Sequence, residues 1–387
     1  MTGPDSGWSL PSPSRVAPGP TISFAFNLEK VAGHGEDSEP ILRDGPDLGL
    51  AAVFDGMGGA GGTLYETSDG PRTGAYLASR IARKVVEQRM LDLLEPDWNL
   101  NGDAAATDLH LSVQRALVEE LAELKAPPSG LRSRLLRALP TTMAMVALQR
   151  TQSGGSTWAA HVFWAGDSRA YVVEAAGVRQ LSADDLRDQN DAMRNLSRDS
   201  VVSNAMSADT EFHVNYRRVE LEAPFLVVCA TDGCFGYLPT PMHFEHLLLA
   251  ELLGAGSANA WALALQQRIA AVTGDDASMS VLGVGAQYAA FQGLLRPRLE
   301  DLDGSVVGPL DDLREAVLRA QRELETARAL ELATTDEVWR RYQAGYELYL
   351  HSASGAPAEG GADTSALESA EPESGPTQPA DAAEATS

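Results

Sequence analysis

Four segments of this chain place an aspartate at the end, or just before the start, of an apolar run that is typical of a β-strand. These segments are GLAAVFDGMGG, HVFWAGDSRAY, FLVVCATDGCF and GDDASMSVLGV, and they contain Asp55, Asp167, Asp232 and Asp275. Carboxylates that meet at neighbouring strand ends repel one another, and hard divalent cations with oxygen ligands relieve that repulsion. The pattern therefore predicts a metal-dependent active site.

The loop that follows the first of these strands offers a second kind of oxygen ligand. A glycine directly after Asp55 lets the backbone turn tightly, so we expect the Gly56 carbonyl to face the same ion as the Asp55 carboxylate. A phosphate-binding P-loop would need a lysine followed by serine or threonine, and the stretch 58–63 contains no lysine. The loop is therefore interpreted as an oxygen-ligand platform; for this motif taken alone, a purely structural turn is the alternative.

Net charge and composition exclude several classes of partner. The chain has 387 residues and a formal net charge of −24, which disfavours nucleic acid and anionic membranes. No segment resembles a signal peptide or an apolar membrane span, so we expect a cytoplasmic protein. Arginine far outnumbers lysine, and alanine and glycine are abundant, a bias typical of a GC-rich bacterial genome.

The two cysteines do not indicate cysteine chemistry. Cys229 and Cys234 are too few for a disulfide framework. A cysteine-nucleophile phosphatase would need an arginine six positions after its cysteine, and those positions hold Phe235 and Thr240. That mechanism is excluded.

The periodicity of apolar residues indicates the elements that must position the aspartates. Apolar runs predict strands at 21–27, 50–54, 143–148, 158–164, 170–174, 225–230 and 279–284. Helical spacing predicts helices that include 77–85, 109–124 and 261–272, the last with Ser257 as its N-cap. Two helices fall between the second and third strands, so strict β-α-β alternation fails. The order favours an α+β protein with antiparallel sheets and helices packed outside them.

Composition also sets the expected domain limits. Residues 1–20 are rich in proline, glycine and serine and are expected to form a disordered N-terminus, and residues 21–287 are expected to form the catalytic domain. Inside that domain, the long polar segment 181–212 is expected to form a mobile flap near the site. Asp184 and Asp185 open this flap and are interpreted as solvated loop acids.

The part of the chain beyond the catalytic domain has a helical pattern. Residues 288–351 are interpreted as a linker followed by a helical hairpin, roughly 310–350, that packs on the domain or binds a protein partner. Residues 352–387 contain acidic residues and no lysine or arginine, and are expected to form a disordered acidic tail.

The acidic motifs follow one another in a specific order: Glu36-Asp37, Asp55-Gly56, Gly166-Asp167, Asp232-Gly233 and Asp275-Asp276. With this ordered set, the sequence resembles the metal-dependent protein phosphatases of type 2C, the PPM family, from about Thr21 to Gln287. The resemblance implies a four-layer α-β-β-α sandwich of two antiparallel sheets flanked by helices, to which the later helical pattern adds a C-terminal helical extension. It also implies that the substrates are phosphoserine and phosphothreonine residues of proteins.

The resemblance further implies a two-metal site. Asp55 would bridge two manganese or magnesium ions, the Gly56 carbonyl would bind one of them, and Asp232 and Asp275 would bind the other. Two such ions about 3.5–4 Å apart lower the pKa of a bridging water and neutralise charge that develops on a phosphoryl group. A metal-bridged water or hydroxide is then the expected nucleophile, and no protein nucleophile is required.

The remaining acidic residues take supporting roles in the same resemblance. Glu36 and Asp37 would hold metal-bound waters, and Asp167 would be a ligand of a weaker third ion. Asp276 stands where the family usually has asparagine, so Asp275 and Asp276 are alternatives for one ligand position.

Three positions depart from the family pattern. Ala32 replaces the family's phosphate-binding arginine, and Lys30 and His34 are the nearest substitutes for binding substrate, although neither has the bidentate fork of a guanidinium. Met57 replaces a frequent histidine general acid, and Gly236 replaces a further carboxylate for the third ion. Two hypotheses stay open: a protein serine/threonine phosphatase, and a pseudophosphatase scaffold or binding module whose C-terminal part recruits a partner.

Overall fold

The computed structural model describes residues 19–68, 70–93, 100–124, 137–188, 191–196 and 201–350. The two segments expected to be disordered, 1–20 and 352–387, lie outside these residues apart from Gly19 and Pro20. Their disorder stays a prediction.

Most of the described strands belong to two antiparallel sheets. In chain order the strands are β1 (Pro20–Leu28), β2 (Ile41–Asp44), β3 (Leu48–Val53), β4 (Leu64–Thr67), β5 (Gly70–Thr73), β6 (Met143–Arg150), β7 (Thr157–Ala165), β8 (Arg169–Glu174), β9 (Gly177–Gln180), β10 (Asn215–Glu222), β11 (Phe225–Ala230) and β12 (Ala277–Val284). The two five-stranded sheets have the orders β1-β12-β11-β8-β9 and β10-β7-β6-β3-β2, and β4 pairs with β5 in a separate hairpin. All seven strands predicted from the sequence are confirmed.

Helices occupy the segments between the strands and the C-terminal part of the described chain. They are α1 (Gly58–Gly61), α2 (Gly74–Leu93), α3 (Gly102–Glu123), α4 (Ala192–Leu196), α5 (Pro241–Gly254), α6 (Ala258–Ala270), α7 (Tyr288–Asp301) and α8 (Val307–Tyr346), with a 3₁₀ turn at Asp232–Cys234 and a π-helical turn at Leu302–Val306. The Ser257 side chain caps α6 by accepting a hydrogen bond from the Ala260 backbone N–H at 3.2 Å, as predicted. None of the described helices combines the length and the apolar composition that crossing a bilayer requires.

The two sheets stack face to face, and helices cover both outer faces. Alternate residues of β3 show the arrangement: Leu50 and Ala52 pack with α2 and α3, whereas Ala51 and Val53 pack against the other sheet. On the opposite side, α5, α6 and α7 cover the second sheet, with Trp261 at the centre of that layer. Strands buried on both faces read as continuous apolar runs, which is why the sequence revealed them. The predicted four-layer α-β-β-α sandwich with a C-terminal helical extension is confirmed.

The segment after β12 differs from the prediction. Residues 288–301, expected to be a linker, form α7, whose Phe291 and Leu295 are fully buried in the core. The predicted helical hairpin is wrong, because α8 is one uninterrupted helix of 40 residues. The sequence contains no glycine or proline from Leu310 to Ala344, so no residue breaks the helix where the hairpin turn was expected. By compactness the chain divides into two units after Arg314.

Candidate metal centre

Strand ends from both sheets bring the predicted aspartates to one edge of the sandwich. Asp55 lies two residues after β3, Asp232 two residues after β11 and Asp275 two residues before β12, and Asp167 lies in the connection from β7 to β8. These four aspartates line one cleft of about 370 Å³ together with Glu36 and residues 56–60. The convergence expected from the sequence is present.

Backbone contacts hold the Asp55 loop in place. The Thr141 Oγ1 hydroxyl and the Thr142 backbone N–H both donate to the Asp55 carbonyl, at 2.6 and 2.8 Å. Position 56 has no room for a side chain, because a Cβ there would lie 2.5 Å from the Glu36 carbonyl oxygen. The loop therefore passes close to the 30–36 segment, and glycine is required for that approach.

A second close approach sets the position of Asp232. This residue begins the 3₁₀ turn, and its carbonyl accepts a hydrogen bond from the Gly236 backbone N–H at 2.6 Å. A Cβ on Gly233 would lie 1.9 Å from the Asp276 carbonyl oxygen. Only glycine lets the turn pass the start of β12, and the result is that the charges of Asp232 and Asp275 interact.

Burial and mutual repulsion raise the pKa of the central carboxyl groups. The pKa of Asp55 is raised well above its usual range, first by burial and then by the charges of Asp232, Asp37, Asp167 and Asp275. Burial likewise raises the pKa of Asp37 to about 8 and that of Asp167 to about 7, with the charge of Asp232 adding to both. The pKa of Asp232 is also raised, by burial and by Asp275. Carboxyl groups that resist ionisation in this way are stabilised as carboxylates by a bound cation.

The donor set fits hard divalent cations. In the parts of the chain that the structure describes, no lysine or arginine forms a salt bridge with Asp37, Asp55, Asp167, Asp232 or Asp275. No three histidine, cysteine, aspartate or glutamate side chains of those parts already surround a single point where an ion would sit. Carboxylate oxygens are the kind of ligand that such ions prefer, and ion binding at this cleft would require the side chains to turn toward the ion.

Asp275 and Asp276 have different surroundings. The Asp276 Oδ1 atom accepts from the Lys30 backbone N–H at 2.8 Å, and its Oδ2 atom accepts from the Glu36 backbone N–H at 2.5 Å. Both oxygens of Asp276 thus hold the 30–36 loop, whereas Asp275 lines the cleft. Of the two, Asp275 is therefore the residue whose side chain is available in the cleft.

The acidic pair Glu36-Asp37 is divided between the cleft and the core. The Glu36 carboxylate lines the cleft and accepts a hydrogen bond from the Thr73 hydroxyl at 2.6 Å. The Asp37 carboxylate is buried and accepts one from the Thr231 hydroxyl at 2.9 Å, next to Asp232. The Glu36 carboxylate therefore faces solvent in the cleft. The Asp37 carboxylate lies in the protein interior beside the cleft, where it is hydrogen-bonded to Thr231.

The two residues predicted to bind substrate, Lys30 and His34, do not line the cleft. The Lys30 ammonium donates to the Gly274 carbonyl. His34 is exposed, and its backbone N–H donates to the Val31 carbonyl at 2.9 Å. Both residues belong to the loop that Asp276 holds.

Two arginines that the sequence analysis missed contact the same loop. Arg72 donates to the Gly33 carbonyl at 2.8 Å, and Arg80 donates to the Gly35 carbonyl at 3.2 Å. Their guanidinium groups lie over the Tyr76 ring, at 4.5 and 3.5 Å from its centroid. Tyr76 and Arg80 lie four residues apart on α2, which was the available signal for their contact, whereas Arg72 lies in β5 and no helical spacing indicates it.

The flap lies against the site, but its first acid is buried rather than solvated. The Asp184 carboxylate accepts two hydrogen bonds from Arg169, at 2.9 and 2.6 Å. The Arg169 guanidinium also lies 4.4 Å from the centroid of the Phe235 ring. This ion pair ties the start of the flap to β8.

The second acid of the flap is also buried, contrary to the prediction. Asp185 accepts hydrogen bonds from the Gly166 backbone N–H at 3.1 Å and from the side-chain amides of Asn204 and Asn215 at 2.7 and 2.9 Å. It thus joins the flap to the connection that carries Asp167. No pattern in the sequence indicates these partners, which lie 19 to 30 residues away.

Met57, which occupies the position of the frequent histidine, contacts the flap. It packs against a small apolar cluster formed by Leu186, Val202 and Ala205. Val202 also lines the cleft. Met57 therefore provides an apolar contact between the Asp55 loop and the flap.

Comparisons with known proteins agree with this geometry. A family model described as Protein phosphatase 2C matches residues 38–270. A structure of a sex determining protein from C. elegans is 16% identical, with a TM-score of 0.52, over 71% of this chain and 67% of that chain, and shows the same fold.

Other similar structures are bacterial or are phosphatases by their description. The serine/threonine phosphatase PstP/Ppp of Mycobacterium tuberculosis is 17% identical, with a TM-score of 0.48, over 68% of this chain and 98% of that chain. The catalytic domain of the phosphatase PstP in complex with two manganese ions is 15% identical, with a TM-score of 0.45 and the same coverage. None of the curated proteins matches the sequence.

Proposed function

Because the chain belongs to the protein phosphatase 2C family, whose members are metal-dependent hydrolases, we propose that it removes phosphate from serine and threonine residues of proteins with two bound manganese or magnesium ions. The observation that carries the proposal is the convergence of Asp55, Asp232 and Asp275 on one cleft from three different strand ends. A phosphate dianion would be repelled by these carboxylates alone, so cations are needed to reverse the sign of the site.

The proposed ligand assignment follows the family resemblance, and the presence of Asp55, Gly56, Asp232 and Asp275 in one cleft supports it. Asp55 would serve both ions, the Gly56 carbonyl would serve one of them, and Asp232 and Asp275 would serve the other. Asp167 lines the same cleft and is assigned to a third, weaker ion, for which Gly236 offers no second carboxylate.

The chain's own residues prepare this cleft for water and phosphate. Two bound divalent ions would supply the acidity that turns a shared water into a nucleophile near neutral pH. The Thr73 hydroxyl fixes the Glu36 carboxylate, which faces the cleft and is placed to accept hydrogen bonds from water there. Lys30 and His34 stay proposed contacts for substrate, although they do not line the cleft, and Arg72 contacts the same loop.

No observation favours the scaffold alternative. It accounts for Ala32, but it leaves unexplained why several buried carboxylates with raised pKa values lie together without a basic partner among the described residues. Such a cluster destabilises a protein that has no cation to bind. Cytoplasmic location and the absence of nucleic-acid and membrane partners remain predictions from the sequence.

The test is metal-dependent hydrolysis of a phosphothreonine peptide and of a small aryl phosphate. We expect turnover only with added Mn²⁺ or Mg²⁺, and a loss of at least about 100-fold in kcat/KM for Asp55→Ala and Asp232→Ala. Asp312→Asn, at an exposed carboxylate of α8, is the matched control and should retain wild-type activity. Equal turnover in all variants would overturn the proposal, and metal binding by the wild type without turnover would favour the scaffold.

A further inference from the structure

The helix α8 presents a continuous apolar stripe to solvent. Every residue from 309 to 342 is exposed. The large members of the stripe, each at least half exposed, are Leu313, Val317, Leu324, Val338, Tyr342 and Tyr346. Helices in proteins are stabilised mainly by packing of such a face, and exposed apolar patches of this length mark interaction surfaces. The stripe therefore needs a partner.

The two halves of the stripe lie on one side of the helix. In the first half, apolar residues follow the three- and four-residue steps of a coiled coil, at Leu313, Val317, Ala320, Leu324 and Ala327. Tyr342 lies 18 residues after Leu324, which is about five full turns, so the second half continues the same face.

The halves differ in the size of their side chains. The first half contains the small residues Ala320 and Ala327, and the second half is aromatic, with the rings of Trp339 and Tyr346 in contact at 5.6 Å between centroids. On this face of the helix, the polar residues Glu331 and Thr335 separate them. A partner that packs against this stripe needs large side chains opposite the small side chains of the first half.

We propose that α8 pairs with α8 of a second copy of this chain in antiparallel orientation, with the twofold axis at Glu331. Each half of the stripe then lies on the other half of the second copy. Ala320 is placed opposite Tyr342 and Leu324 opposite Val338, and Val317 lies one residue from the position opposite Tyr346. A parallel pair would instead set Ala320 against Ala320 and Tyr342 against Tyr342, which leaves a gap at one end and crowding at the other.

The charges that flank the stripe also suit a second copy. In the antiparallel pair, Glu323 lies beside Arg341 of the second copy on one side of the seam. A parallel pair would keep one attractive contact, between Glu323 and Arg328. Twofold symmetry makes the Glu323–Arg341 contact twice, which opposes the repulsion between the two Glu331 carboxylates at the axis, and side-chain size decides the orientation.

The size of the stripe indicates a moderate affinity. From Leu313 to Tyr346 it is about 50 Å long, and a strip about 11 Å wide has an area of roughly 550 Å² per helix. The pair would bury about 1,100 Å², close to the lower limit of about 1,200 Å² for specific interfaces. We expect a monomer–dimer equilibrium in the micromolar range. The pairing is independent of the proposed enzyme activity.

Sedimentation of the full chain between about 1 and 100 µM tests the pairing. The wild type is expected to shift from monomer to dimer over this range, and Leu324→Asp, in the middle of the stripe, to stay monomeric. Leu318→Asp is the matched control, because Leu318 is similarly exposed but lies on another side of α8. Circular dichroism checks that both variants keep the helix. A wild type that stays monomeric at the highest concentration, or equal effects of the two substitutions, would overturn the proposal.

Cross-linking tests the orientation. The two native cysteines are buried, so a cysteine introduced on α8 is the reactive one. Under mild oxidation, a mixture of the Ala320→Cys and Tyr342→Cys chains is expected to form mixed disulfide dimers. The Ala320→Cys chain alone should form none, and efficient cross-linking of that chain to itself would contradict the antiparallel arrangement.

Discussion

Asp275 and Asp276 are neighbours with the same side chain, yet the fold places them in different surroundings. The two carboxylate oxygens of Asp276 accept hydrogen bonds from the backbone N–H groups of Lys30 and Glu36, whereas Asp275 lines the cleft. The family resemblance implied that one of the two would be a ligand, with Asp275 as the first choice and Asp276 as the alternative. It did not decide between them, since the deciding partners lie about 240 residues away in the chain.

A substitution at Gly233 tests how closely the strand ends must approach. We expect Gly233→Ala to lower the free energy of unfolding by about 1–3 kcal/mol and to weaken Mn²⁺ binding, because the new Cβ displaces the Asp276 backbone beside Asp275. Urea unfolding and Mn²⁺ titration measure the two effects. Gly293→Ala is the control: its Cβ would meet no atom within 4 Å, and alanine favours its helix. Wild-type metal affinity in Gly233→Ala would contradict this reading.

The carboxyl cluster predicts an unusual pH dependence without divalent ions. The pKa of Asp167 is about 7 and that of Asp37 about 8, above the values of the unfolded chain, so the folded state keeps protons that the unfolded state has released. This contribution to stability is complete below about pH 4 and is lost as the pH rises through the folded pKa values. We expect the melting temperature with chelator to fall from about pH 4 to about pH 8 and to level off above the folded pKa values.

Two comparisons make that measurement specific. In Asp37→Asn, one of the titrating groups is absent, so the fall in melting temperature should be smaller than in the wild type. Added Mn²⁺ should raise the melting temperature more at about pH 8.5 than at about pH 6.5, because protons no longer compete for the carboxylates. An identical pH profile in wild type and Asp37→Asn would contradict the assigned cause.

At the scale of elements, the core strands were predictable and the contacts of the flap were not. A strand such as β3 or β11 is buried on both faces, so its sequence is a continuous apolar run. The flap is polar, and its acids were interpreted as solvated because polarity usually marks exposure. Asp184 and Asp185 are instead buried, with hydrogen bonds from Arg169 and Asn204. A pattern of polar residues does not indicate which side chains will form such hydrogen bonds.

The ion pair of Arg169 and Asp184 carries a prediction for the flap. Both side chains are nearly inaccessible, at 3% and 2% exposure, so Arg169→Leu leaves a buried carboxylate without its partner. We expect a loss of about 3–5 kcal/mol in the free energy of unfolding, and a partial recovery in Arg169→Leu/Asp184→Leu.

A surface pair provides the control for this effect. Glu315 and Arg319 form an exposed i, i+4 pair on α8, and Glu315→Gln should cost less than about 1 kcal/mol. Urea unfolding of the wild type and the three variants gives the comparison. If Arg169→Leu cost no more than Glu315→Gln, the pair would not anchor the flap.

At the scale of the whole molecule, the sequence misplaced the end of the catalytic domain. The resemblance ends near Gln287, but Phe291, Leu295 and Leu302 are fully buried in the core that contains Trp261. Apolar periodicity alone did not show whether that helix packs on the domain or lies beyond it. The same limitation led to the wrong prediction of a hairpin, because two apolar stripes on one long helix have the same sequence pattern as two separate helices.

Two truncated chains test the domain limit. A chain that ends at Arg314 is expected to fold, keep its activity and stay monomeric, because it retains α7 and lacks most of α8. A chain that ends at Gln287 loses three buried side chains worth about 1.5–3 kcal/mol each, a large part of the roughly 5–15 kcal/mol that stabilises a domain. Calorimetry and the phosphatase assay distinguish the two. Equal melting temperatures would contradict the assignment of α7 to the domain.

The most direct test of the metal centre is anomalous diffraction from crystals grown with Mn²⁺, recorded at the manganese absorption edge. The account predicts two strong peaks in the cleft, about 3.5–4 Å apart, with Asp55 between them and Asp232 and Asp275 beside one of them. A cleft without manganese at saturating concentration, or with Asp232 and Asp275 turned away from any ion, would contradict it.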